Sequence, residues 1–243
     1  MRLSCEYETE EIPVGYHMMF VSLVKETLKR SDQELQDKLY NYDNNRSNKQ
    51  SKDFNFAVHM QGFEKEEEVF KINDKVIFNF TTPDYELGIK FYNGLLNLKE
   101  FEYDSFSLKK SRINLTKEKE INSEEVKFKT LAPLCIKDEN NQFLDLDDEN
   151  YVKELNYIAD IILKNYRGHG LKRKLDFEAL NMEKVVVKQK IKEFTENTGR
   201  DYYFVNSFKG NFKLIGNSQD LQDLYMLGLG FKRNQGFGML EVI

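Results

Sequence analysis

Four glycines fall within eleven residues, Gly228, Gly230, Gly236 and Gly238 of GLGFKRNQGFG, with Lys232 and Arg233 between them. Glycine reaches positive φ and lets another backbone come close, so such a loop can turn a row of N–H donors toward phosphate oxygens. The lysine and arginine bring charge of the right sign. Phe231 and Phe237 are aromatic faces that either pack beneath the loop or stack on bases. Two nucleotide-binding motifs are excluded. There is no G-x-x-x-x-G-K-[ST], and Arg233 stands where G-x-G-x-x-G requires its last glycine. A long glycine turn joining a helix to a strand is the plain alternative.

Three histidines are available for proton transfer near neutral pH. His17 stands at the start of the first helical pattern, after a loop containing Pro13 and Gly15. His59 lies in a strand-like run, where histidines usually pack or face solvent. His169, between Gly168 and Gly170, sits in a basic stretch and suits RNA contact better than catalysis. That stretch, Lys164 to Lys192, carries nine basic residues against three acidic ones, with Lys172, Arg173 and Lys174 in succession. It reads either as part of a nucleic-acid surface or as a solvated charged face. Cys5 and Cys135 are far apart and lack histidines at ligand spacing, so neither a zinc site nor a disulfide is expected, and no cofactor is implied.

A net charge of −5 argues against a nucleic-acid binder unless the basic residues are gathered in one place, because phosphate contacts carry most of the affinity. No apolar run approaches the roughly 18 residues of a membrane span, and the acidic start, with Glu6, Glu8, Glu10 and Glu11, is unlike a signal peptide. A soluble, cytoplasmic protein with no membrane partner is expected.

The elements that must position these residues fall into two sets. Leu3, Cys5 and Tyr7 alternate as in a half-buried strand, and Phe20, Leu23, Val24, Thr27 and Leu28 form a helical stripe. A short helix is expected over 33–39 and an exposed loop over 41–52. Strands follow at 54–60, 69–72 and 75–80, the last two joined by an Asn73-Asp74 hairpin. Pro83 opens a helix with Tyr85, Ile89, Tyr92, Leu95 and Leu96 on one face, and 101–113 closes the set as a strand. The order is β-α-β-β-α-β, the ferredoxin-like unit shared with RNA-recognition domains. After a polar linker at 116–125 come a strand at 126–136, a helix from about Glu149, strands at 184–194 and 202–213, a helix capped by Ser218, and a strand at 239–243. The expected fold is α+β: two tandem ferredoxin-like (RRM-like) domains with antiparallel sheets, at 1–115 and 124–243.

The segment LGLGFKRNQGFGMLEV, following two such patterns, resembles the glycine-rich signature of the CRISPR-associated endoribonucleases that process repeat RNA, the Cas-six family. IPVGYHMMFVSLVKETL, Ile12 to Leu28, is similar to that family's first helix. The resemblance implies a cleft between the domains that takes CRISPR repeat RNA, with Gly228, Gly230, Phe231, Lys232, Arg233, Gly236 and Gly238 as RNA-binding residues, to which the charge of their stretch adds Lys172, Arg173, Lys174 and His169. It also implies metal-independent cleavage to a 5′-hydroxyl and a 2′,3′-cyclic phosphate. Such chemistry needs a group to take the 2′-hydroxyl proton, one to protonate the leaving oxygen, and positive charge at the phosphate. The resemblance makes His17, facing the domain interface, the first candidate for proton transfer. Tyr40, or nearby Tyr42, stands where the family carries its histidine, and Lys52 matches a lysine that supports catalysis. Tyrosine, with a pKa of about 10, is a weak base that can still position or donate a proton.

Three readings follow: an endoribonuclease, a non-cleaving RNA-binding subunit of the same family, and a protein-interaction module in which the glycine loop is a turn. Further partners the resemblance allows are other subunits of a CRISPR effector complex and a second copy of the chain.

Overall fold

The computed structural model describes residues 1–40 and 52–243. Its first half runs β1 (Arg2–Glu8), β2 (Glu11–Pro13), α1 (His17–Ser31), α2 (Gln33–Tyr40), β3 (Asn55–Lys65), β4 (Val69–Thr81), α3 (Tyr85–Asn97), β5 (Glu100–Tyr103) and β6 (Phe106–Thr116). β3 pairs with one edge of β4, β1 and β2 pair with the other, and β1 is followed by β6 and β5, all antiparallel. The order β3-β4-β1-β6 is that of a ferredoxin-like sheet.

Periodicity dictates the packing. Leu3, Cys5 and Tyr7 point into the core from alternate positions of β1, and Phe20, Leu23, Val24 and Leu28 bring the α1 stripe down onto the same face. Phe80 stacks on Phe91 of α3 at 4.0 Å between ring centroids, and Phe54 and Phe56 complete an aromatic layer beneath the helices. Each such ring is worth roughly 1.5–3 kcal/mol of transfer free energy.

The second half contains β7 (Glu125–Thr130), α4 (Tyr151–Arg167), β8 (Asp176–Gln189), α5 (Lys192–Thr198), β9 (Tyr203–Ile215), α6 (Ser218–Leu227) and β10 (Leu240–Val242), with strand order β10-β7-β9-β8. That is the ferredoxin-like order again, with α4 and α6 packed on Phe128, Phe212 and Leu214. Among the described residues no helix is long and apolar enough to cross a membrane.

Several elements differ from expectation. Asn73-Asp74 is not a turn. β4 runs straight through it, because the reversal falls at Glu66, whose N–H meets the Val69 carbonyl at 2.9 Å, and a bulge at Gly62 absorbs the register change. The expected strand 101–113 is a hairpin, turned at Asp104 in a left-handed conformation that aspartate tolerates. Pro83 precedes α3, whose first turn is capped by Asp84 accepting the Leu87 N–H. β7 ends at Thr130, and Leu134 beyond it bridges to Phe208. Phe194 lies in α5, its ring against Tyr203, while β8 begins eight residues earlier than the pattern indicated. Asn217, not Ser218, caps α6. Of the loop expected over 41–52, residues 41–51 lie outside the described residues, as does Tyr42.

The two sheets are joined by polar contacts. Arg2, nearly buried on β1, donates to the carbonyls of Tyr225 and Leu240 and pairs with Glu241 at 2.9 Å. Thr81 Oγ1 donates to the Met226 carbonyl at 3.0 Å. These bonds fix the far side of the junction on which the glycine loop closes.

Candidate functional site

The glycine loop leaves α6 and folds back on the first sheet. A Cβ at Gly228 would strike the Asn55 amide, and one at Gly236 would press on Nδ1 of His17 and the Phe56 ring, so close approach requires glycine at both places. The expected row of outward N–H donors is largely absent. The amides of Gly228, Leu229, Phe231, Gln235, Gly236 and Gly238 already donate to carbonyls of the protein itself. The loop is therefore a folded plug whose backbone donors are largely spent within the protein.

His17 lies behind that plug, 2% exposed and stacked between Tyr16 at 4.5 Å and Phe237 at 4.8 Å. Its Nδ1 is 2.7 Å from the Gln235 carbonyl, which only accepts, so Nδ1 carries the proton. Nε2 is buried and has no hydrogen-bond partner among the described residues. Burial pushes the imidazole down to about 4, although the Gln235 bond opposes the shift. His17 is thus a neutral joint between the halves rather than a side chain open to a substrate.

Arg233 is also largely interior. Its guanidinium bonds the Leu227 carbonyl, and burial pushes it down to about 10. Lys232, held in a left-handed conformation, turns the other way. Its Nζ donates to Oε1 of Gln189 at 3.0 Å and of Gln235 at 2.9 Å, and lies 4.9 Å above the Tyr203 ring. Burial lowers this ammonium to about 8. Neutral amides and an aromatic face orient the charge without cancelling it.

Between α1, α2, α4 and the loop opens a cleft of about 500 Å³, lined by Met18, Val21, Lys25, Tyr40, Lys52, Ile158, Ile161, Ile162, Asn165 and residues 230–235. Among these described residues four are basic and none is acidic, so this lining gathers positive charge in a chain whose net charge is −5. Lys52 Nζ lies 4.6 Å from the centre of the Tyr40 ring, and Lys25 Nζ 4.9 Å from it. A phenol beside two ammoniums suits a phosphate: the amines offset its charge, and the hydroxyl, buried in this structure, can offer a proton to one that reaches it.

The structure thus brings Tyr40, Lys52, Gly230, Phe231, Lys232 and Arg233 to one cleft and sets His17, Gly228, Gly236 and Gly238 behind it. Lys172, Arg173, Lys174 and His169 do not line it. The basic stretch is partly consumed internally: Arg167 pairs with Asp220 and Asp223 at 2.5 Å each, the Lys172 amide donates to Asp220, and Arg173 pairs with Glu124 at 3.2 Å. His59 is exposed on β3. Lys25 was missed. Its signal was the spacing of Met18, Val21 and Lys25, a second helical face beside the apolar stripe. Asn234 was missed too, and nothing in the sequence separates it from an ordinary turn asparagine.

Residues 116–242, more than half of the chain, match the family model for CRISPR associated protein Cas6, C-terminal. The chain belongs to the Cas6 family. No curated protein matches it in sequence. Solved structures share its fold. The product of a Cas6-related gene from Pyrococcus furiosus superposes with a TM-score of 0.78 at 18% identity, over 100% of this chain and 98% of that one. An RAMP protein binding different RNA substrates gives 0.80 at 17%, over 100% and 99%. A Cas6 product complex gives 0.68 at 17%, again over 100% and 99%. At such identities the likeness establishes the fold, and the roles of this Cas6-family chain's own residues rest on their geometry.

Proposed function

We propose that the cleft binds CRISPR repeat RNA and that the chain cuts it without a metal, with 1–115 and 124–243 as the two domains that form the cleft. The observation that carries this reading is the convergence of Lys25, Tyr40, Lys52 and Lys232 on one cleft that has no carboxylate among its described lining residues. In the proposed step the ribose 2′-oxygen bonds to the adjacent phosphorus as its proton passes to a solvent water, and the bond to the 5′-oxygen breaks. Lys52 and Lys25 offset the charge gathering on the phosphate, and Tyr40 protonates the departing oxygen. Lys232 holds a neighbouring phosphate, and holding the 2′-oxygen in line supplies much of the remaining acceleration. His17 acts by fixing the loop. Lys172, Arg173, Lys174 and His169 extend RNA contact beyond the cleft. The solved relatives described as an RNA-binding RAMP protein and a product complex support this reading.

A non-cleaving RNA-binding subunit is the second reading, favoured by one observation: none of the three histidines lines the cleft. Other CRISPR effector subunits, or a second copy, would then be the partners that receive the bound RNA.

The test is to incubate the protein in EDTA with its host's labelled CRISPR repeat RNA, and with the same RNA carrying a 2′-deoxy group at the cut site. One specific cut that survives EDTA and vanishes on 2′-deoxy substitution is expected. Tight, salt-dependent binding with no cut would replace the first reading by the second, and no binding would overturn both.

A further inference from the structure

We infer that Asn234 is a positioning residue: from the glycine loop it holds the backbone of Lys52 so that the lysine's ammonium stands at Tyr40. The inference rests on the proposed cleavage, since it concerns the lysine assigned to the phosphate, yet its geometry stands independently of activity.

Lys52 has no strand of its own. β3 begins three residues later, at Asn55, so the ladder with β4 does not set the course of the chain at Lys52. Asn234 supplies what a neighbouring strand would. Its Oδ1 accepts the Lys52 N–H at 3.2 Å, and its Nδ2 donates to the Lys52 carbonyl at 3.2 Å and to the Phe54 carbonyl. A carboxamide carries an acceptor and two donors at the spacing of a peptide, so one side chain reads both backbone groups of one residue. The seam continues at Asn55, whose Nδ2 donates to the Phe237 carbonyl at 3.0 Å.

Asn234 is itself held. It occupies a single turn of 3₁₀ helix, Arg233–Gln235. On one side the Arg233 guanidinium is tied to the Leu227 carbonyl, and on the other the Gln235 carbonyl accepts a hydrogen bond from His17 Nδ1–H. A residue anchored at both flanks transmits position rather than following it. The loop of the second half thereby sets the aim of a lysine contributed by the first, and Lys52 reaches the Tyr40 ring at 4.6 Å as a result.

The test uses the full-length protein with Asn234→Ala and Asn234→Asp; the latter keeps the acceptor for the Lys52 amide and loses both donors. Three quantities are read: the single-turnover cleavage rate at saturating repeat RNA, the RNA Kd, and the NMR shift of the Lys52 ε-methylene, which the Tyr40 ring displaces upfield. For Asn234→Ala we expect a rate lowered at least tenfold, a Kd within twofold of the parent, a Tm within a few degrees, and loss of the ring-induced shift, with Asn234→Asp in between. An unchanged shift in Asn234→Ala overturns the inference whatever the rate does. A Kd that weakens in step with the rate while the shift persists makes Asn234 an RNA contact instead, and equally overturns it. Should the parent protein not cut at all, the proposed cleavage fails, and the shift alone still decides whether Asn234 positions Lys52.

Discussion

His17 Nδ1 donates to the carbonyl of Gln235 at 2.7 Å, joining the first helix of one half to the glycine loop of the other. The imidazole is buried and lowered to about 4, whereas in the unfolded chain it titrates near 6.5. The unfolded state therefore binds the extra proton first as pH falls. His17's contribution is complete above about pH 6.5 and is lost progressively between 6.5 and 4, by up to roughly 3 kcal/mol. Urea unfolding at steps from pH 7.5 to 4.5 should show this slope in the parent and a flatter one in His17→Gln. At pH 7.5, His17→Ala should cost about 2–4 kcal/mol through the lost stack and the orphaned carbonyl. An unchanged midpoint would put His17 outside the joint.

Lys52→Ala should lower the cleavage rate about 100-fold, the scale of removing one donor to a developing oxyanion, with RNA affinity altered far less. Tyr40→Phe keeps the ring beneath both ammoniums and removes the hydroxyl, so it should slow cleavage while leaving binding intact. Single-turnover kinetics beside filter binding separates the two effects. Parental rates in Tyr40→Phe would take proton donation away from the phenol.

Lys232 is lowered to about 8, so between pH 7 and 9 it passes from mostly charged to mostly neutral. RNA affinity should fall across that window and the fall should be absent in Lys232→Gln. In the same variant the slope of log K against log salt should shrink by about 0.7, one phosphate's share on a single strand. An identical pH response in parent and variant would place the sensitivity elsewhere.

Asp220 is fully buried and receives both Arg167 and the Lys172 amide. Asp220→Ala leaves the Arg167 guanidinium short of a partner and should cost about 3–5 kcal/mol in unfolding free energy. RNA affinity, measured well below the melting temperature, should change little, because this pair braces α4 against α6 and does not line the cleft. A selective loss of affinity would show that the basic stretch is aligned through Asp220.

The fold was legible where side-chain period decides it. The stripe of α1, the alternation of β1 and the repeated β-α-β-β-α-β order follow from which positions are apolar, and they are found. Turns were less legible, because Asn73-Asp74 looks like a reversal in sequence while the three glutamates before Val69 do the turning. The cleft was legible in part. Lys232 and Lys52 announce themselves by charge. Arg233 and His17 are of types that usually serve solvent or chemistry, and only the packing of Leu227, Gln235 and Phe237 around them turns both into structural members. Asn234 acts through contacts with residues 180 and 182 positions away, a distance that no local pattern spans.

Arg2 reaches the Tyr225 carbonyl across 223 residues and the Leu240 carbonyl across 238. A ribosome delivers the arginine long before either acceptor exists, so the first strand waits through more than 223 further residues for the groups that satisfy its charge. Until the glycine loop has left the exit tunnel, the Asn234 contacts of Lys52 and the Gln235 contact of His17 cannot form either. A nascent chain that stops short of the loop therefore lacks the Asn234 and Gln235 contacts that join the two halves, and with them the finished cleft.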